Sequence, residues 1–260
     1  MHMSARVVSL ALDAKGKRHS LAERVIALFQ PLPDLRFTII LDGCDWWDLK
    51  EYGPENRGMF RIVNTEHVFD EPRWPFRLME EIGHYDRATD KFCAACDAAI
   101  YLHDSTCTRP ESLTMTLAHE VQHFMQYGSD RNVWALNDVV TMLPKDTIAK
   151  LGLRWCDIPI EREARVVAKR VCEELFGADA TARYIEDRIT NGTIRRDIDD
   201  WVFIQSIVTA NEGGYQRAAR TGRLYRAIEG SRGDLQETPN LMRAYSEYAN
   251  LDLDDAFRLA

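Results

Sequence analysis

His119-Glu120-Val121-Gln122-His123 constrains this 260-residue chain more than any other stretch. On a helix, residues four apart stand one above the other on the same face, so both imidazoles can reach one point in space. That arrangement suits a shared metal ion. Glu120, between them, points toward the same cleft and can hold the water that such a metal activates. Given 7 histidines in the chain, accidental matches to the five-residue pattern are expected only about 0.01 times. The fold must therefore turn one helix face toward an internal cleft.

The surrounding residues predict that helix independently. Thr108-Arg109-Pro110-Glu111 reads as a capping box, with Thr108 as N-cap and Pro110 in the first turn, where its missing N–H costs nothing. From Leu113 to Met125 the apolar residues recur at spacings of three and four, through Leu117, Ala118, Val121 and Phe124, and Gly128 is a stop signal. The spacing predicts a buried helix over 108–128. Just before it, Ala98 to His103 reads as a short buried strand. A strand followed by a buried HExxH helix resembles the zincin metallopeptidases, a likeness that covers about 30 residues directly and is specific for a metal hydrolase. The resemblance implies an edge strand beside the metal. From the residues alone, such a strand offers backbone groups on which an extended peptide can pair.

A catalytic zinc ion takes three protein ligands and keeps a position for water. The histidines stand at 2, 19, 67, 84, 103, 119 and 123, so none follows the motif. The third ligand is thus a downstream carboxylate or an upstream residue. A second helix over 159–177 is apolar at Ile160, Ala164, Val167, Ala168, Val171 and Leu175. At 100° per residue, Glu161 lies roughly 60° from the centre of that stripe and Glu163 roughly 100° on the other side. Glu161 is the carboxylate nearer the core; Glu163 and His103 remain alternatives. The pattern also resembles the gluzincins, where a ligand glutamate is followed three residues later by a small residue, here Ala164. That resemblance implies zinc held by His119, His123 and Glu161. In the family the next turn often carries an aspartate supporting a ligand histidine, but this chain has Arg165. Support would then come from Asp104, Asn137 or Asp138. A donor for the developing oxyanion would be Tyr184, Tyr215, Tyr225 or His103.

Cys93 and Cys96 form a CxxC, followed by His103 and Cys107, a series that in principle could close a second metal site. The strand over 98–102 interrupts it, so buried reduced thiols are the expectation; Cys44, Cys156 and Cys172 are isolated. The opening residues lack the apolar run of a secretory leader and no stretch reaches transmembrane length. A cytoplasmic, reducing compartment is therefore expected.

Strands are predicted at Arg6 to Ala11, Leu35 to Leu41, Gly58 to Val63 and Ala98 to Leu102, with a helix at Ser20 to Gln30. Beyond 108 every periodic segment reads helical: 132–142, 145–151, 159–177, 179–190, 197–210, 214–228 and 239–248. The expected fold is α+β and zincin-like, with a mixed sheet lobe over 1–107 and a helical lobe over 108–260 carrying the metal site. Aromatic loops at Gly43 to Asp48 and Glu71 to Phe76 either pack locally or line the cleft. A net charge of −8 excludes a general nucleic-acid binder. Arg217, Arg220, Arg223 and Arg226 form a local basic face that reads as solvated surface. Together these features imply a zinc peptidase acting on a peptide or protein, with Glu120 as general base. The alternative is a zincin-like regulatory or binding protein with a silent metal site, against which the intact Glu120 weighs. A peptide deformylase is excluded, because its Glu-Gly-Cys ligand motif is absent.

Overall fold

A computed structural model describes residues 5–9, 16–41, 58–63, 82–89, 91–129, 134, 155–193 and 195–209. The chain enters as β1 (Arg6–Ser9), crosses through α1 (Lys17–Ala27) and returns parallel to β1 as β2 (Phe37–Leu41). Next come β3 (Gly58–Ile62), a hairpin of β4 (Gly83–Asp86) and β5 (Lys91–Ala94), and β6 (Ala98–Leu102). The main sheet has the order β1-β2-β6-β3, with β2 and β6 parallel and β3 antiparallel to β6. The fold is α+β.

Continuous apolar runs explain the centre of this sheet. Phe-Thr-Ile-Ile-Leu in β2 and Ala-Ala-Ile-Tyr-Leu in β6 are buried at every position, as strands covered on both faces must be. Alternation then divides their side chains. Phe37, Ile39, Leu41, Ala98, Ile100 and Leu102 join the core on the helical side, while Ile40, Ala99 and Tyr101 pack with Ile82 and Cys96 on the other. Arg36 and Asp97 lock the entry of β2 to that of β6. The Arg36 backbone N–H donates to Asp97 at 2.7 Å, and its guanidinium donates to the same carboxylate at 2.8 Å.

The helical side begins with a single turn, α2 (Asp104–Cys107), and the long α3 (Pro110–Ser129). Phe124 of α3 lies flat on Phe37, ring centroids 4.1 Å apart, and fixes the helix over the sheet. A 3-10 turn at Trp155–Asp157 leads into α4 (Pro159–Phe176), opened by proline at its first position, then α5 (Ala178–Thr190) and α6 (Arg195–Ser206). Leu117, Val121 and Phe124 of α3 share one cluster with Ala168, Val171 and Cys172 of α4.

Two expectations need correction, and one element went unread. β6 is an interior strand, and among the described residues the edge nearest α3 is β3, because a strand from earlier in the chain inserts antiparallel on its outer side. The capping box is not made as expected: Thr108 donates its hydroxyl to the Ser105 carbonyl, closing α2, and α3 starts at Pro110. The β4–β5 hairpin was not anticipated, since its short strands carry little apolar alternation. The helices expected at 132–142, 145–151, 214–228 and 239–248, both aromatic loops and the basic face lie outside the described residues.

Candidate metal centre

His119 and His123 project from α3 toward the first turn of α4, where Glu161 meets them. Their rings stand edge to face, 88° apart, and their Nε2 atoms approach to 3.1 Å. Glu161 Oε1 is 3.4 Å from His123 Nε2, and Oε2 is 3.5 Å from His119 Nε2. Two ligands about 2.05 Å from a tetrahedral ion stand about 3.3 Å apart, and with one oxygen taken from Glu161 the three donor atoms lie within 4.8 Å of one another. His119, His123 and Glu161 form a group that can hold a metal ion, and no other such group occurs among the described residues. Helix geometry accounts for Glu161: it opens α4 on the buried side, and only 8 % of it is exposed.

The tautomer of His123 is set by Gln126, one turn further along α3. Gln126 Nε2 donates to the Ile160 carbonyl at 3.1 Å and to Glu163 at 2.8 Å. Its Oε1 is therefore left to accept from His123 Nδ1, 2.9 Å away. The proton sits on Nδ1 and the Nε2 lone pair faces the cluster. Gln126 supplies the support expected of Asp104, Asn137 or Asp138. Asp104 instead pairs with Arg18 at 3.3 Å, and residues 137 and 138 lie outside the described segments. Glu163 is no part of the ligand group: it holds Gln126. The spacing of three between His123 and Gln126 carried this signal in the sequence.

Arg165 donates through Nη1 to Glu161 Oε2 at 2.7 Å and to the Glu161 carbonyl at 3.0 Å. Its Nε donates to Asp200 of α6 at 2.9 Å. The electrostatics follow from this crowding. Burial resists ionisation of Glu161, but the two histidines and Arg165 outweigh it and hold the carboxyl well below the usual range. Burial likewise resists charging His123, yet Glu161 and Glu120 outweigh it and raise its pKa.

Glu120 is buried on α3 beside the edge strand. A side chain at Gly58 in β3 would place its Cβ 3.2 Å from Glu120 Cγ and 2.6 Å from Thr116 Cγ2. The missing side chain at Gly58 is what lets β3 lie so close to the motif helix. Next to His123 stands an aromatic wall of Phe60 from β3, Tyr127 and Trp134, with Trp134 centred 6.1 Å from the imidazole and 5.5 Å from Phe60. Sequence reading missed this wall, because its members come from three separate segments.

The remaining candidates lie elsewhere. His103 is not in the ligand group and caps α2, its Nδ1 accepting from the Ser105 N–H at 3.1 Å. Tyr184 packs against Trp201 and beneath Arg109, while Tyr215 and Tyr225 lie outside the described residues. Cys93 is exposed whereas Cys96, Cys107, Cys156 and Cys172 are buried, and these five form no disulfide; Cys44 is not among the described residues. Cys93, Cys96, His103 and Cys107 do not converge on a second metal group. In comparisons with known proteins, no family model, no curated protein and no solved structure matches this chain. No helix among the described residues is long and apolar enough to cross a membrane.

Proposed function

We propose that this protein is a zinc-dependent metallopeptidase of zincin-like, gluzincin-type architecture. The observation that carries the reading is the convergence of two imidazole Nε2 atoms and one carboxylate within 3.1–3.5 Å, beside β3, the outermost strand of the sheet among the described residues. Two nitrogens and one oxygen form a donor set suited to zinc, and such a set leaves room for further ligands. Zinc bound there would polarise a substrate carbonyl and make water acidic near neutral pH.

The protein's own groups supply the rest. Glu120 accepts the proton of the attacking water and delivers it to the departing amide nitrogen, which needs a carboxylate next to the cluster. Its charge acts on His123, which fits that position. An extended peptide adds to β3 by backbone hydrogen bonds, held across the face of α3. Phe60, Tyr127 and Trp134 give an apolar side chain of the substrate a surface to pack on. The free thiols fit a reducing compartment, so we place the protein in the cytoplasm.

Metal analysis together with digestion of casein and a peptide library tests this, comparing wild type with Glu120→Gln and Glu161→Ala. Glu120→Gln is expected to keep its zinc and lose hydrolysis, and Glu161→Ala to lose zinc. Full turnover by Glu120→Gln refutes its role as base. Zinc-loaded wild type that cleaves nothing supports a silent, regulatory site instead.

A further inference from the structure

Arg165 stands where a supporting acid was expected, and its contacts give it a different task. The side chain is 9 % exposed, and a buried guanidinium persists only when paired and hydrogen-bonded. One carboxylate would neutralise it, yet it has two: Glu161 on its own helix and Asp200 on α6. Because Nη1 holds both the backbone carbonyl and the Oε2 of Glu161, the carboxylate cannot rotate without breaking a charge-assisted bond. Oε2 thereby carries the Arg165 bond, whereas Oε1, 3.4 Å from His123 Nε2, receives none from Arg165. A charge-assisted hydrogen bond to one carboxylate oxygen draws charge from it and favours binding an ion through the other.

Asp200 is held in turn by the docking of α6. Lys169 of α4 donates to the carbonyls of Ile204, Gln205 and Ile207 at the end of α6, at 3.2, 3.2 and 2.6 Å. Arg170 donates to the Thr209 carbonyl at 3.0 Å. The position of Asp200, and through it that of Arg165, follows from how α6 seats on α4.

We propose that Arg165, anchored by Asp200, is a positioning residue that restricts Glu161 to binding the metal through Oε1 alone, so that coordination number depends on the seating of α6. This rests on the reading of His119, His123 and Glu161 as a metal site. The test uses the full chain loaded with cobalt(II), whose visible absorption weakens as coordination rises from four toward five or six.

Arg165→Met and Asp200→Ala are each expected to keep one bound cobalt while losing intensity by about threefold or more, as Glu161 closes on the ion with both oxygens. Asp200→Asn keeps an acceptor for the Arg165 Nε and is expected to retain the wild-type spectrum. Wild-type spectra in cobalt-loaded Arg165→Met or Asp200→Ala overturn the proposal and leave the metal site standing. Should Arg165→Met fail to fold, the more exposed Asp200→Ala decides alone. Wild type that takes up no cobalt, or as much as His123→Ala does, overturns the metal reading itself and this proposal with it.

Discussion

Gly58→Ala tests whether close approach of β3 to the motif helix is required. The added Cβ would lie 2.6 Å from Thr116 Cγ2, 3.0 Å from Leu102 Cδ2 and 3.2 Å from Glu120 Cγ. Carbon atoms rest at about 3.5–4.0 Å, so roughly 1 Å must open between strand and helix. Leu102 is fully buried and cannot swing aside, which leaves the backbone of β3 or the Thr116 and Glu120 side chains to move. Overpacking of this kind costs about 1–3 kcal/mol. For a chain of this size, that lowers the melting temperature by roughly 3–10 °C. If Glu120 shifts by the same ångström, peptide turnover falls by about 100-fold. Thermal unfolding by circular dichroism and a peptide-cleavage assay measure the two effects separately. Thr116→Ser removes the methyl in closest contact, so in the double variant the stability loss should shrink by at least about 0.5 kcal/mol. Gly58→Ala with wild-type melting and wild-type turnover would show that β3 does not press on α3, and the substrate edge would have to be sought elsewhere.

Gln126→Leu frees the His123 tautomer and should lower zinc affinity by about 10–100-fold, read by competition with a chromophoric chelator; unchanged affinity refutes the role given to Gln126. Asp97→Asn should flatten the acid limb of the stability curve. The hydrogen bond from Arg36 depresses the Asp97 pKa below its ordinary 3.8, so its contribution is full above that value and disappears as pH falls through the lower folded one. Because the pair is more than a third exposed, the effect is at most about 1 kcal/mol, seen as a smaller loss of urea midpoint between pH 5 and 3 in the variant. Chelating the metal should lower the melting temperature by the ligand-linkage term while leaving one cooperative transition; loss of the transition would mark the metal as structural.

What the sequence revealed depended on whether a signal was local. The motif helix and α4 were legible because apolar periodicity and a proline at a helix start are written within a dozen residues, and Glu161 followed from its angle to the α4 stripe. β2 and β6 were legible as continuous apolar runs. Their neighbours were not: nothing in Ala98 to Leu102 tells whether another strand lies on its outer side, so the edge was misplaced from β3 to β6. Thr108 fitted a capping box but served α2 instead, since a hydroxyl follows whichever carbonyl or N–H the preceding turn presents. Asp200 could not be joined to Glu161, 39 positions earlier, before the docking of α6 was known. The spacing of Gln126 was visible but its role was not, because an amide can accept or donate until partners such as the Ile160 carbonyl and Glu163 fix its orientation.

The three side chains of the cluster come from two helices fastened together by apolar packing and by Gln126. Leu117, Val121 and Phe124 bury themselves with Ala168, Val171 and Cys172, and Gln126 bridges α3 to the Ile160 carbonyl and Glu163 of α4. Burying several such side chains at about 1.5–3 kcal/mol each can hold the helix pair without assistance. On that scaffold the two imidazole Nε2 atoms stand 3.1 Å apart, with the Glu161 oxygens 3.4 and 3.5 Å from them. A structural zinc site closes a fold that does not exist without it, and its binding energy is consumed in ordering the chain. Here apolar packing supplies that order, so the binding energy of an ion at this cluster would go to fixing it beside β3. That division of labour, with a rigid scaffold from α3 and α4 and a polar cluster at its mouth, fits a catalytic site better than a structural one.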